Sequence, residues 1–425
     1  MSIQQVPQEL IDQIVDHFSS DFSALKSLGR ISRPWSQRTR QHLFQRIVLT
    51  NSALCLTLRD IIAARPLLSH HVQEVEIRHE DRYRCPLYDT PYLNDVLALL
   101  PAITKLFLNG TGDYIEWNRV PRILRDALYG VMKKATTLKL TKIYHFEITP
   151  LAQCQALKEL SLHHVYLLAA RFKLSGHTPH SQSLPRRLHR LTVGDCGEAL
   201  KELLTRQPFA TFDLCHPTEL KVHAFAFDEE MSFALELCSS AVESYHILAL
   251  SNKRESRDPF PDAIFDFSRT PRLKHLRIDI AHHHCWAHHD SDVLVLAAEA
   301  LNSVSGSSAL ETITLLYGFT PPSTRGAFST AVDINLAAMD EGWSQLDAAL
   351  SKNAFRKLQK LLLILDISNA TQHEGDWNWV PKQFVDQMPK MSERGILNVA
   401  RSILQTWFVI SSLTWRDVPQ DDIVV

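Results

Sequence analysis

One six-residue pattern, apolar-x-x-apolar-x-apolar, returns twelve times along this 425-residue chain. It reads Phe44/Ile47/Leu49, Val72/Val75/Ile77, Ile103/Leu106/Leu108, Ala135/Leu138/Leu140, Leu157/Leu160/Leu162 and Leu188/Leu191/Val193 in the first half. It continues as Pro217/Leu220/Val222, Val242/Tyr245/Ile247, Leu273/Leu276/Ile278, Leu310/Ile313/Leu315, Leu358/Leu361/Leu363 and Ile410/Leu413/Trp415. The last two apolar positions of each unit alternate, as one buried face of a short strand requires. Helix-like runs lie between units: Leu54 to Ala64, Leu93 to Leu100, Pro121 to Met132, Glu198 to Thr205, Glu230 to Cys238, Asp292 to Leu301, Ile334 to Leu350 and Gly395 to Trp407. Strand, loop and helix recurring mostly every 22 to 37 residues predict an α/β fold, a solenoid with a parallel β-sheet. A doubly wound sheet is the weaker reading, because the glycines that normally mark its first strand–helix junction are absent.

Composition narrows the function. Lys and Arg number 45 against 47 Asp and Glu, a net charge of -2, so the cationic excess that drives phosphate neutralisation is missing and no nucleic-acid partner is expected. The 13 glycines form no GxGxxG, GxxxxGK[S/T] or GxSxG, which removes the dinucleotide, P-loop and hydrolase-elbow chemistries. Seven cysteines stand far apart without a CxxC, a pattern that suits reduced thiols in the cytoplasm or nucleus. Glu9, Asp12 and Asp16 precede the first basic residue, Lys26, the reverse of a signal peptide's charge order. No apolar run approaches the roughly 20 residues that cross a bilayer, so a soluble chain without a membrane partner is expected.

Residues 1–45 read differently from the body at 46–425. On a helix, Leu10, Ile11, Ile14, Val15 and Phe18 share one arc while Asp12, Gln13, Asp16 and His17 fill the other, with Pro7 at the start. Phe22, Leu25, Leu28 and Ile31 suggest a second helix, and Trp35, Leu43 and Phe44 a third, with Pro34 restarting the chain after a break near Ser32 or Arg33. The segments Val6-Pro7-Gln8-Glu9-Leu10-Ile11 with Ile14, Leu25 and Leu28 with Ile31-Ser32-Arg33-Pro34-Trp35, and Leu43-Phe44 together resemble the F-box, in its fungal type, over about residues 5 to 45. That resemblance implies docking onto the Skp-type adaptor of a cullin ubiquitin ligase, with Pro7, Leu10, Ile11, Ile14, Leu28, Ile31 and Trp35 holding the complex. Read without the resemblance, the same helices are an amphipathic cap on the repeats. The body resembles degenerate leucine-rich repeats: Leu188 to Cys196 completes that template through its final Cys, and the other units lack the residue that tiles the turn.

The expected role is therefore a non-enzymatic recognition subunit of a Skp-cullin-F-box ligase, with no cofactor and with the solenoid selecting a protein substrate. The residues beside each buried apolar pair face outward along one surface, and among them Arg78, Lys105, Lys139, Arg190, Lys221, His223, His275 and Arg277 are candidate substrate contacts. An acidic or phosphorylated segment would complement them, whereas mixed charge that merely keeps a face soluble is the competing reading. A ligase-independent scaffold is the alternative function. A third option is a metal-dependent enzyme at His282-His283-His284-Cys285-Trp286-Ala287-His288-His289-Asp290, where His284, Cys285 and His288 carry metal-ligand spacing; a solvated loop without metal is preferred. Trp377 and Trp379 could be an exposed anchor or a lid.

Overall fold

The computed structural model describes residues 6–79, 87–88, 91–147, 149–167, 186–194, 196, 199, 201, 212–213, 217–224, 239–250, 267, 270–281, 291–304, 309–318, 341–366 and 379–402. The chain divides into two compact units, the first formed by residues 1–184 and 208–212, the second by 185–207 and 213–425. The division thus falls inside the expected repeat body, and the N-terminal helices group with the repeats that follow them.

The first unit opens with three helices, α1 (Gln8–His17), α2 (Phe22–Leu28) and α3 (Arg33–Gln45). Asp21 caps α2, its carboxylate accepting from the amides of Ser23 and Ala24 at 2.9 Å each. The break before α3 falls at Ser32, which is extended, and Pro34 occupies the first turn of α3, where a missing N–H costs nothing. Gly29 permits the close approach of α2 to α3, since a Cβ there would stand 2.9 Å from Thr39 Oγ1. Strands β1 (Arg46–Leu49), β2 (Glu74–Arg78), β3 (Lys105–Asn109), β5 (Thr137–Phe146) and β6 (Glu159–Leu167) then pair in parallel and in that order, with the short β4 (Ile115–Glu116) on the far end of β5. Helices α4 (Ser52–Ala64), α5 (Pro91–Leu99) and α6 (Arg122–Met132) connect them.

In the second unit β7 (Arg190–Gly194), β8 (Glu219–Ala224), β9 (Ser244–Leu250), β10 (His275–Ala281), β11 (Thr312–Gly318), β12 (Lys360–Asp366) and β13 (Leu397–Ser402) are again parallel neighbours in chain order. The described helices between them are α7 (Ser291–Ser303), α8 (Glu341–Leu350), α9 (Trp379–Gln387) and α10 (Pro389–Glu393). Among the described strands of each unit the order does not reverse, as it would in a doubly wound sheet, and the α/β architecture is solenoid-like.

The pattern places the core. The paired apolar positions lie opposite one another across neighbouring strands, Val75, Leu106, Leu138 and Leu160 in one row and Leu220, Tyr245, Leu276, Ile313 and Leu361 in another. All of these are buried, each contributing roughly 1.5–3 kcal/mol. The first eleven pattern units carry strands; the twelfth, ending at Trp415, lies outside the described residues. The helix-like runs Glu198 to Thr205 and Glu230 to Cys238 lie largely or wholly outside the described residues, and one expectation within those residues fails. Gly395 to Trp407 reads as a helix, yet residues 397–402 form β13. Gly395 sits at φ 67°, which ends α10, and the alternating Leu397 and Val399 then pair with Leu361 and Leu363 of β12.

Candidate functional site

In the N-terminal helices Ile11 and Val15 of α1, Leu25 of α2 and Trp35 of α3 close a small core, with Val6, Leu28 and Leu43 against its edge. Asp16 fastens α1 to α3: Arg38 donates to both its oxygens, at 2.7 and 2.6 Å, and His42 Nε2 lies 2.7 Å away. The hydrogen bond from Arg38 holds the Asp16 carboxyl at about 2, well below the usual carboxylate range.

Beyond that core, Leu10 is 49% exposed and Ile14 41%, and Phe18, Phe22 and Ile31 are also exposed. Leu10, Ile14 and Phe18 are successive i, i+4 neighbours and so form one stripe along α1. Of the seven residues expected to hold an adaptor, Pro7, Leu10, Ile14 and Ile31 are on the surface and Leu28 is partly buried. Ile11 and Trp35 are not on offer: both belong to the helices' own core, because the arc assigned to α1 is wide enough to face two ways. Phe18 and Phe22 are exposed apolar residues that the motif-based set omits; the i+8 spacing of Phe18 from Leu10 was the available signal.

The candidate substrate face lies along the strands. In the first unit Glu76 is 2% exposed although it points away from the apolar row. Its register neighbours Val48 and Phe107 desolvate it, and Arg78 Nε at 2.6 Å, Arg46 Nη2 at 2.7 Å and Asn109 Nδ2 at 3.3 Å donate to it. Burial pushes its carboxyl up, but the hydrogen bonds from Arg78 and Arg46 outweigh that and hold it below the ordinary value. Lys105 approaches Glu74 at 3.8 Å, and burial lowers the Lys139 ammonium.

The second unit repeats the device. Asp279 is fully buried between Leu248 and Leu316, with Arg277 Nε 2.7 Å and His246 Nε2 2.7 Å from its oxygens. Burial raises the Asp279 carboxyl, the charges and hydrogen bonds of His246 and Arg277 lower it, and the balance lies at about 2. Arg190 is similarly engaged by Glu219.

The structure therefore brings Arg78, Lys105 and Lys139 to one face of the first unit, and Arg190, Lys221, His275 and Arg277 to one face of the second. Three of the expected anion contacts, Arg78, Arg190 and Arg277, already serve neighbouring carboxylates. His223 is buried and does not contribute to a contact surface. The burial of these acids is not legible from charge alone; an Arg two residues from an acid on one strand, as in Glu76/Arg78 and Arg277/Asp279, is the readable sign of a same-face pair.

Residues 282–290, with His284, Cys285 and His288, and Trp377 lie outside the described residues. Among the described residues no three His, Cys, Asp or Glu side chains gather as a metal site, and no helix is long and apolar enough to cross a membrane. Neither a protein-family model nor a curated protein matches the chain.

Proposed function

We propose that this chain is the substrate-recognition subunit of a Skp-cullin-F-box type ubiquitin ligase, acting in the cytoplasm or nucleus and catalysing nothing itself. Its N-terminal helices are the F-box and dock the Skp-type adaptor, and its strands form a degenerate leucine-rich-repeat surface that captures a protein substrate. One observation carries the reading: the Leu10–Ile14–Phe18 stripe stays exposed although Ile11, Val15, Leu25 and Trp35 already close the helices' own core. Apolar surface left over after the core is complete is the mark of a face made for a partner. The cap reading needs those residues buried against the repeats, and their exposure speaks against it.

Changing Leu10 and Ile14 together to Asp is expected to abolish capture of the purified adaptor and, with it, of the cullin. Circular dichroism and thermal unfolding should stay nearly unchanged, because neither side chain supports the core. Undiminished capture would sink the assignment, and loss of folding would favour the cap.

The substrate reading is narrower than the full set of candidate contacts. With Glu76 and Asp279 matching the nearest arginines, the residues left to meet an acidic or phosphorylated segment are led by Lys105 and His275, both exposed.

A further inference from the structure

The two units differ in how they place charge on the strand face turned away from the core. In the first, Glu74, Glu76 and Glu159 stand among Arg46, Arg78, Lys105 and Lys139, so acids and cations are interleaved. In the second, one row of Ser244, His275, Thr312 and Lys360 and the next of His246, Arg277, Thr314, Leu362 and Asn398 cross β9 to β13 without an acid. These positions alternate with the buried Tyr245, Leu276, Ile313 and Leu361 and therefore face the other way. The third row, Leu248, Asp279, Leu316, Ile364 and Ala400, holds one acid, and that acid is fully buried.

Asp279 arranges the donors beside it without using them up. Arg277 donates from Nε to Oδ1 at 2.7 Å and from Nη2 to Oδ2 at 3.2 Å. A guanidinium carries five N–H donors in a planar fork. The pair with Asp279 takes its side edge. The end edge, with both hydrogens of Nη1 and the second of Nη2, keeps its donors, and the side chain is 37% exposed. His275 is exposed, and its Nδ1 lies 2.7 Å from Thr312 Oγ1. With that hydroxyl donating to Nδ1, Nε2 carries the hydrogen and is left to donate. Lys360, across from Thr312 on β12, is exposed as well. It stands two strand spacings from His275, roughly 10 Å between Cα atoms, a span that long Lys and Arg side chains close around one small anion.

We propose that this face of β10 to β12 is a phosphomonoester site, with Arg277, His275 and Lys360 as its ligands. A carboxylate has two coplanar oxygens, which the end edge of one arginine already saturates. A phosphomonoester has three terminal oxygens spread tetrahedrally and about two negative charges at neutral pH. It can therefore take the fork of Arg277 and still meet Lys360 and His275. The buried Leu248 and Leu316 that flank Asp279 lower the local dielectric, so charge is screened less there than in open water. The site stands whether or not the N-terminal helices dock an adaptor, and it rests on the capture reading only where a protein carries the phosphate.

Calorimetric titration of the full chain with inorganic phosphate and with a pentapeptide of phosphoserine flanked by glycines tests it, against the same peptide carrying serine or glutamate. Saturable binding of a phosphate probe is expected, about tenfold or more tighter than either control peptide. Tighter binding of the phosphopeptide would identify a protein as the source, and tighter binding of free phosphate a small phosphorylated molecule; both support the site. His275→Ala and Lys360→Ala should each weaken the phosphate probe several fold with thermal unfolding nearly unchanged, because both side chains are exposed. Adaptor capture measured on the same samples separates a failure of the F-box reading from a failure of this site. Three results would overturn the proposal: no saturable binding of either phosphate probe, equal binding of the glutamate peptide, or unchanged affinity in both folded variants.

Discussion

Asp279 and Glu76 are the acids whose surroundings say most about this chain. Each lies on the polar side of its strand, yet each is flanked by apolar residues on both neighbouring strands, Leu248 and Leu316 for Asp279, Val48 and Phe107 for Glu76. Each keeps its charge by holding an arginine two residues away on the same strand. Replacing Asp279 with Asn would leave Arg277 without its counter-charge, and a loss of about 3 kcal/mol in unfolding free energy is expected, at the low end for a buried pair because Arg277 is partly solvated. Titration adds a sign. Burial holds the His246 imidazole below its usual 6.5, with Lys221 and Arg277 beside it opposing the charge of Asp279. Its proton is then bound more readily in the unfolded chain, so the stability it contributes is present above that value and falls away as pH drops below it. Asp279 acts in the same direction lower down, its contribution full above the ordinary carboxylate value of 3.8 and lost as pH falls toward about 2. Denaturant unfolding measured between about pH 7.5 and pH 5.5 should show the first effect, with a shallower decline in His246→Gln. An identical slope in that variant would assign the pH dependence to other groups.

At the scale of elements, the strands were legible and the helix ends partly so. A period near 30 residues marks where each strand begins, because every repeat must present the same apolar pair to a common core. Ser32 and Pro34 announced the start of α3 through backbone chemistry that acts within a turn. By contrast, α10 depends on a partner far away in sequence. Asp347 of α8 is buried and accepts from the amides of Lys390 and Met391 at 3.2 and 3.0 Å, capping α10 from outside its own segment. No local window contains that information, and the stretch after Gly395 likewise becomes β13 only by pairing with Leu361 to Asp366, far away in sequence. Asp347→Ala is expected to cost about 1–2 kcal/mol by leaving two amides at a helix start without their acceptor. Chemical denaturation would read it, and a neutral result would mean that water replaces the carboxylate without penalty.

Across the whole molecule the proposed docking and capture surfaces differ in physics as well as in place. The α1 stripe is apolar, with attraction that rests on area removed from water, whereas the strand faces carry alternating charges whose reach shrinks from about 10 Å at 0.1 M salt to about 3 Å at 1 M. Raising salt over that range should therefore leave adaptor capture intact and weaken substrate capture, if an acidic or phosphorylated segment is what the strands meet. The variant that reports on recognition must be chosen from side chains that do not hold the sheet together. Arg277→Glu would set a second carboxylate beside buried Asp279, and its failure would speak of folding. Lys105→Ala is the better probe, because Lys105 is exposed, approaches Glu74 only at 3.8 Å, and its removal sets no new charge beside a buried carboxylate. Loss of substrate with the adaptor still bound, in co-purification of this variant against the unmodified chain, would place capture on the first unit's strand face. Retention through both the salt step and the substitution would move recognition off that face.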